Sequence, residues 1–309
     1  MRSPTSCCRA VRCGNSLLPT DNMQPACPFE PLDRLARFSW DWAPALCDTA
    51  HGCADYHRSW SLVRLLELGG ALPAGQPFFT RELAEVARGS SRRVLVAGGA
   101  DTGLTAMTIA AFRAQGSEPE LVFVDRCRTT ARQNELFAGH LRLPIDVQVC
   151  DAAAVDCAPV DAIVAHSFLH LLPHAKREEV IAAWSRVLKP GGRVVMSCAV
   201  SHAESDWVRA KDLAQVEQRR LGLQQRAGQA GFEPPVAAEI AATAARFWAT
   251  SPGQAPALTQ ANLRASFARA GIEVRHIGLQ GVEEVRGPLA ITTRETSKRE
   301  RAEVVAVRL

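Results

Sequence analysis

The chain has 309 residues, 47% hydrophobic and 22% charged, with a formal net charge of +4, values ordinary for a globular protein. The charge is spread over both halves, with one local run through Thr296, Ser297, Lys298, Arg299, Glu300 and Arg301. That run reads as a solvated hairpin, and no basic stripe interleaved with aromatics appears, so nucleic acid is not an expected partner. No apolar stretch approaches the ~20 residues a membrane-spanning helix needs, and Met1 to Cys13 is not followed by the apolar run of a secretory signal. A cytoplasmic protein without a membrane partner is therefore expected.

Residues 1 to about 30 carry Pro, Ser, Asn and Cys without periodicity and read as a flexible leader. From Leu32 to Leu68, Leu35, Phe38, Trp42 and Leu46, then Tyr56, Trp60, Val63 and Leu66, recur at three- and four-residue spacing, predicting amphipathic helices. Gly69, Gly70, Pro73, Gly75 and Pro77 break the pattern, and a further helix is expected over Phe79 to Ala87. This helical segment spans residues 31–90.

From Arg92 short apolar runs alternate with helical stretches, the pattern of a parallel sheet covered on both faces. Strands are expected at Arg93 to Ala97, Leu121 to Val124, Ile145 to Val149, Ala162 to Ala165 and Arg193 to Cys198. The intervening helices are expected at Leu104 to Gln115, Thr129 to Gly139 and Lys176 to Leu188. Residues 91–200 thus form a core, 201–256 a helical insertion, and 257–309 resume the core. The last part holds a helix from Leu258 to Ala270, a strand from Glu273 to Ile277 and a final strand from Ala302 to Leu309. The last two strands are joined by a polar connection and can pair antiparallel.

The first strand runs into Gly98, Gly99, Ala100, Asp101, Thr102 and Gly103 ahead of a helix, the place where an open parallel sheet binds a nucleotide-like ligand. A pyrophosphate would be repelled by Asp101 at the helix N-terminus, and the third position holds Ala100 in place of glycine. S-adenosylmethionine carries a sulfonium and an amino group but no phosphate, so the carboxylate is compatible with it; Asp101 also suits a helix cap. Asp125 ends the second strand, where a carboxylate can accept hydrogen bonds from both hydroxyls of a ribose. Arg126 follows it and keeps open an alternative NADP reading. Cys150, Asp151 and Ala152 end the third strand near the expected adenine. His166 ends the fourth, over the crevice, and His170 faces either the crevice or the interior. Lys189, Pro190, Gly191 and Gly192 predict a tight turn into the fifth strand.

On these residues the stretch from Arg92 to Val200 resembles the class I, Rossmann-like S-adenosylmethionine-dependent methyltransferase family, and the strands through Leu309 complete its seven-stranded plan. The resemblance implies an α/β fold with a mostly parallel sheet, an antiparallel last strand and helical lids. It assigns Gly98, Gly99, Asp101 and Gly103 to the methionine part of the cofactor, Asp125 to the ribose and Asp151 to the adenine, with Leu188 to Gly192 as the family's turn. Ala152, through its backbone amide, Arg126 and His166 complete the expected cofactor shell. The sequence departs from the family at Val96, where an acidic residue is usual, and at Ala100.

The helical segments contain Trp40, Trp42, Trp60, Trp207 and Trp248; such aromatics can bind an apolar or cationic ligand or pack. Tyr56, His57 and His202 are the candidates for a base near the sulfonium, although methyl transfer can proceed by positioning alone. The expected acceptor is a small molecule, a metabolite or natural-product intermediate, methylated at O, N or S, and no oligomeric state is assigned. A non-catalytic cofactor-binding scaffold is the alternative outside enzymology, and an oxidoreductase lacks its Tyr-x-x-x-Lys pair. Ten cysteines are present; Cys7, Cys8, Cys13, Cys27, Cys47 and Cys53 lack CxxC spacing, so free thiols in a reducing compartment are expected and no metal site is assigned. A minor reading has some N-terminal cysteines holding a soft metal or metalloid substrate.

Overall fold

The computed structural model describes residues 27–68, 71–90, 92–202, 207–208, 212–250, 254–255, 257–281 and 299–309. Most of the expected leader, and residues 296–298 of the basic run, lie outside the described residues. The helices are α1 (Leu32–Leu46), α2 (Ala54–Leu65), α3 (Ala71–Ala87), α4 (Gly103–Arg113), α5 (Arg128–Leu141), α6 (His174–Val187), α7 (Leu213–Gln229), α8 (Pro234–Thr250) and α9 (Gln260–Arg269). The strands are β1 (Arg93–Ala97), β2 (Glu120–Asp125), β3 (Ile145–Val149), β4 (Val160–His166), β5 (Leu188–Ser201), β6 (Trp207–Val208), β7 (Gln254–Ala255), β8 (Ile272–Gly281) and β9 (Arg299–Arg308).

Seven strands form one sheet in the order β3-β2-β1-β4-β5-β9-β8, and β6 pairs with β7 apart from it. β1 to β5 pair in parallel, and β9 runs antiparallel to both β5 and β8. This is the Rossmann-like α/β architecture expected from the sequence. The strand alternation explains why both faces are covered. Leu95, Ala97, Val122, Val124, Ile163 and Val194 turn to one face and pack with Trp184, Ile181 and Phe267 of α6 and α9. Val94, Val96, Phe123, Val164 and Val195 turn to the other, against Phe79, Ile109, Phe112 and Phe137 of α3, α4 and α5. Period-two side chains that are apolar on both faces require helices on both faces.

A third apolar cluster joins the helical cover to itself. Ala36 and Trp40 of α1, Leu62 and Val63 of α2, Leu223 and Ala227 of α7, and Ile240, Ala241 and Ala244 of α8 are buried together. Tryptophans here pack: the Arg58 guanidinium lies 3.9 Å from the Trp40 ring centroid, and Arg219 lies over Trp248. No described helix is long and apolar enough to cross a membrane.

Three local expectations are corrected. α3 begins at Ala71 and runs through Gly75 and Pro77, so the sequence break does not delay the helix to Phe79. Burial of Phe78, Phe79 and Leu83 on the core outweighs the lost hydrogen bond at Pro77. The Leu188 to Gly192 segment is part of β5: Leu188 pairs with Val160, and the register slips before Ala162, with Gly191 at φ 75° supplying a left-handed kink that glycine takes without cost. Arg301, expected in a solvated hairpin, lies in β9 and donates to Ser167 and Ser197 hydroxyls.

Candidate functional site

β1 and β4 are neighbours while β2 and β5 leave in opposite directions, which opens the crevice at their carboxyl ends. Four sequence features meet there. The first is the glycine loop. Gly98, at φ 71°, donates its N–H to Val124 O at 2.9 Å, and a Cβ on it would lie 2.7 Å from the Phe168 ring. Gly103 starts α4, where a Cβ would come within 2.5 Å of Leu72 and 2.8 Å of the Arg64 guanidinium. Both positions need glycine for close approach.

Asp101 is buried, and protein donors occupy it. Its Oδ1 accepts the Gly103 N–H at 2.9 Å across the N-cap Thr102, so Asp101 stands one residue ahead of the cap, and its Oδ2 accepts from Arg64 at 2.7 Å and from Ser61 Oγ at 3.3 Å. The same Arg64 guanidinium is bidentate with Glu30, and Thr102 Oγ1 donates to Glu30 at 2.6 Å. Burial alone would lower the Arg64 pKa, but Asp101 and Glu30 more than reverse it, so the guanidinium stays charged. Arg64 of α2 therefore bolts the cover to the glycine loop.

Asp125 ends β2. Its Oδ2 accepts the Gly99 N–H at 3.1 Å and its Oδ1 the Cys127 N–H at 2.7 Å. Burial raises its pKa, and these two amides oppose the rise. The carboxylate joins the glycine loop to the β2–α5 turn with acceptor capacity to spare. Arg126 beside it is exposed. Asp151 is exposed, caps a short helical turn through the Ala153 N–H at 2.8 Å and pairs with Lys176 at 3.4 Å, while Ala152 is buried.

His166 ends β4 with Nδ1 2.8 Å from Ser197 Oγ and its ring edge-on to Phe79. Burial, helped by Arg301 and His170, holds its pKa down at about 3, so the ring is neutral. His170 is structural, its Nδ1 accepting the Ala199 N–H.

The three candidate bases are separated by environment. Tyr56 stacks on Phe247 at 4.6 Å, Trp60 at 5.5 Å and His57 at 5.2 Å. Burial raises its phenol pKa, and the charges of Asp101 and Asp125 raise it further, so the proton stays on. His57 is buried with Nδ1 3.1 Å from Cys127 Sγ and 3.4 Å from Cys47 Sγ. His202 is 60% exposed and pairs with Glu300 at 3.1 Å. The structure thus brings Tyr56 and His57 together on α2 and leaves His202 on the surface beyond β5.

A methyltransferase-domain family model matches residues 96–192, which span the glycine loop, Asp125, Asp151 and His166. Over those residues the chain is similar to the methyltransferase-domain family, and its seven-stranded sheet shares the fold of solved methyltransferases. Among solved structures, a geranyl diphosphate methyltransferase in complex with S-adenosylmethionine is similar over 86% of this chain and 94% of its own, at 15% identity and a TM-score of 0.50. The magnesium protoporphyrin IX methyltransferase of Synechocystis PCC 6803 aligns over 86% of this chain and 99% of its own, at 14% identity and a TM-score of 0.47. No curated protein matches the sequence.

Sequence reasoning missed Glu30, Arg64, Phe168 and Arg301 around this crevice. None belongs to a local motif; only tertiary packing brings them to the loop. Ser167, at φ 52°, is a strained turn residue at the crevice that no composition signal marks.

Proposed function

We propose that this chain transfers the methyl group of S-adenosylmethionine to an O, N or S atom of a small molecule held between the glycine loop and the helical cover. The observation that carries the reading is Asp125: a carboxylate at the end of β2, fixed by the Gly99 and Cys127 amides, with lone pairs left for a ribose diol. The glycine loop lies beside this carboxylate, with Gly99 bonded to Asp125 and Gly98 closely covered by the Phe168 ring.

When bound, the cofactor supplies a methyl group on a positively charged sulfonium. Asp125 holds the ribose, and Asp151 with the Ala152 amide faces the adenine. Asp101, already partnered by Arg64, acts by shaping the loop. Neutral His166 lines the crevice beneath without adding a positive charge that would repel the sulfonium. Tyr56 keeps its proton, and His57 turns Nδ1 to sulfur, so neither has the features of a free base. The reading is catalysis by orientation and exclusion of water, in which bringing the reactants into line supplies the rate. Tyr56, Trp60 and Phe247 form an aromatic group suited to an apolar acceptor.

The test is transfer of labelled methyl from S-adenosylmethionine to a metabolite panel, beside S-adenosylhomocysteine binding. Binding with transfer supports the enzyme; binding with no transfer to any acceptor class supports the scaffold reading.

A further inference from the structure

Three cysteines and a histidine from distant parts of the chain converge outside the methyl-transfer residues. Cys47 ends α1, Cys53 precedes α2, His57 stands in the first turn of α2, and Cys127 precedes α5. Their ligand atoms all lie within 4.8 Å of one another. Cys47 Sγ is 3.5 Å from Cys127 Sγ, Cys53 Sγ is 4.0 Å from Cys127 Sγ, and His57 Nδ1 is 3.1 Å and 3.4 Å from the sulfurs of Cys127 and Cys47.

Those four separations are close to the edges of a coordination tetrahedron, and the remaining two are at most 4.8 Å. Zinc–sulfur bonds of about 2.3 Å and zinc–nitrogen bonds of about 2.0 Å, at tetrahedral angles, put sulfurs about 3.8 Å apart and sulfur about 3.5 Å from nitrogen. A disulfide requires sulfurs about 2.05 Å apart, and three thiols cannot all pair. A thiol–imidazole hydrogen bond accounts for one sulfur at His57 Nδ1, but not for a second at 3.4 Å with a third sulfur within 4.8 Å. We propose that Cys47, Cys53, His57 and Cys127 bind one Zn²⁺ in a closed tetrahedral site.

The donor set selects the metal. Three thiolates and an imidazole, with no carboxylate among them, suit zinc and exclude magnesium and calcium, which take oxygen ligands. The surroundings suit a site with an excess negative charge. Cys127 caps the N-terminus of α5, the positive end of the helix dipole, and Thr129 Oγ1 lies 3.1 Å from Cys47 Sγ, within reach to donate to the thiolate. Gly52, at φ 58°, turns the chain between Cys47 and Cys53 so that both can reach inward.

The site has a second effect through the main chain. The Cys127 N–H donates to Asp125 Oδ1, so fixing Cys127 fixes one side of the carboxylate assigned above to the ribose. Zinc would lock α1 and α2 to the β2–α5 turn and hold that carboxylate in place. Only this last coupling rests on the methyl-transfer reading; the site itself does not.

The experiment is metal analysis of the full chain purified without chelator, with Co²⁺ exchanged for the native ion. One zinc per chain is expected, and the cobalt form should show intense visible bands of a tetrahedral ion with sulfur-to-metal charge transfer in the near ultraviolet. Cys53→Ser, at the half-buried position least needed for packing, should bind at least ten-fold more weakly while circular dichroism stays native. A folded wild-type chain that carries no zinc and gives no tetrahedral cobalt spectrum would overturn the site, as would a Cys47–Cys127 disulfide found by mass spectrometry under reducing-compartment conditions. Loss of zinc with unchanged S-adenosylhomocysteine affinity would overturn the coupling to Asp125.

Discussion

The strands β1, β2 and β4 and the helices α1 and α2 both contribute to the crevice, but they are held in place by different forces. The strands are buried on both faces by aliphatic and aromatic side chains, so burial of apolar area fixes them. Beyond Leu35 of α1, which joins the apolar core, the cover meets the same core through polar and sulfur links. These are Arg64 between Glu30 and Asp101, Gln133 Nε2 donating to Leu35 O and Ser61 Oγ, and the Cys47–Cys53–His57–Cys127 cluster. Apolar packing tolerates many sequences, whereas a buried charge demands its partner. The cover is therefore the part of the molecule where one substitution can detach a whole element.

The strongest way to break this contrast is Arg64→Ala. The side chains of Arg64, Glu30 and Asp101 are 9%, 0% and 3% exposed, and removing one partner of such a group costs about 3–5 kcal/mol. Urea unfolding should record that loss, and hydrogen exchange should quicken in α1 and α2 while β1, β2 and β4 stay protected. Equal quickening in the strands would show that cover and core are one unit.

Asp125→Ala acts from the core side, at the end of β2. Charge-assisted hydrogen bonds are worth about 1.5–3 kcal/mol each, so affinity for S-adenosylhomocysteine should fall by roughly 100-fold, and stability should fall by about 1–3 kcal/mol as the Gly99 and Cys127 amides lose their acceptor. Calorimetric titration checks it. Gly98→Ala comes next: the left-handed φ and the Phe168 ring 2.7 Å from the new Cβ should together cost about 1–3 kcal/mol. Adding Phe168→Ala relieves the contact but not the backbone, so thermal stability should return only in part.

His166 gives a pH test. Its folded pKa of about 3 lies below the ordinary unfolded value, so between the two the unfolded chain takes up the proton first. Stability is unaffected above about pH 7 and is lost as the pH falls toward 3, by about 2 kcal/mol at pH 5. His166→Gln should flatten that part of the melting profile; an unchanged slope would mean that the ring is accessible to protons. The smallest effect belongs to Asp151→Ala, where an exposed carboxylate paired with Lys176 should cost at most about 1 kcal/mol in stability or affinity.

The same contrast explains what could be read from the sequence. Short apolar runs with helical intervals gave the alternation of strands and helices along residues 92–200, and a glycine loop with an acid at the end of β2 pointed to the crevice. Those signals are local in the chain. Arg64 meeting Asp101, or Cys127 meeting Cys47 and His57, are pairings across dozens of residues with no spacing rule to reveal them. The cysteines show the limit most clearly. The described cysteines form no disulfide, and the absence of CxxC spacing hid a convergence that depends on α5 packing against α1. Likewise the prolines and glycines before Phe79 signalled a break that burial of Phe78 and Phe79 overrode.

Calorimetric titration of the purified chain with S-adenosylhomocysteine, beside NADPH and the Asp125→Ala variant, tests the central claim most directly. The adenosyl ligand should bind, NADPH should not, and the variant should lose most of the affinity. Failure of the wild-type chain to bind either S-adenosylhomocysteine or S-adenosylmethionine, or binding unchanged by Asp125→Ala, would contradict it.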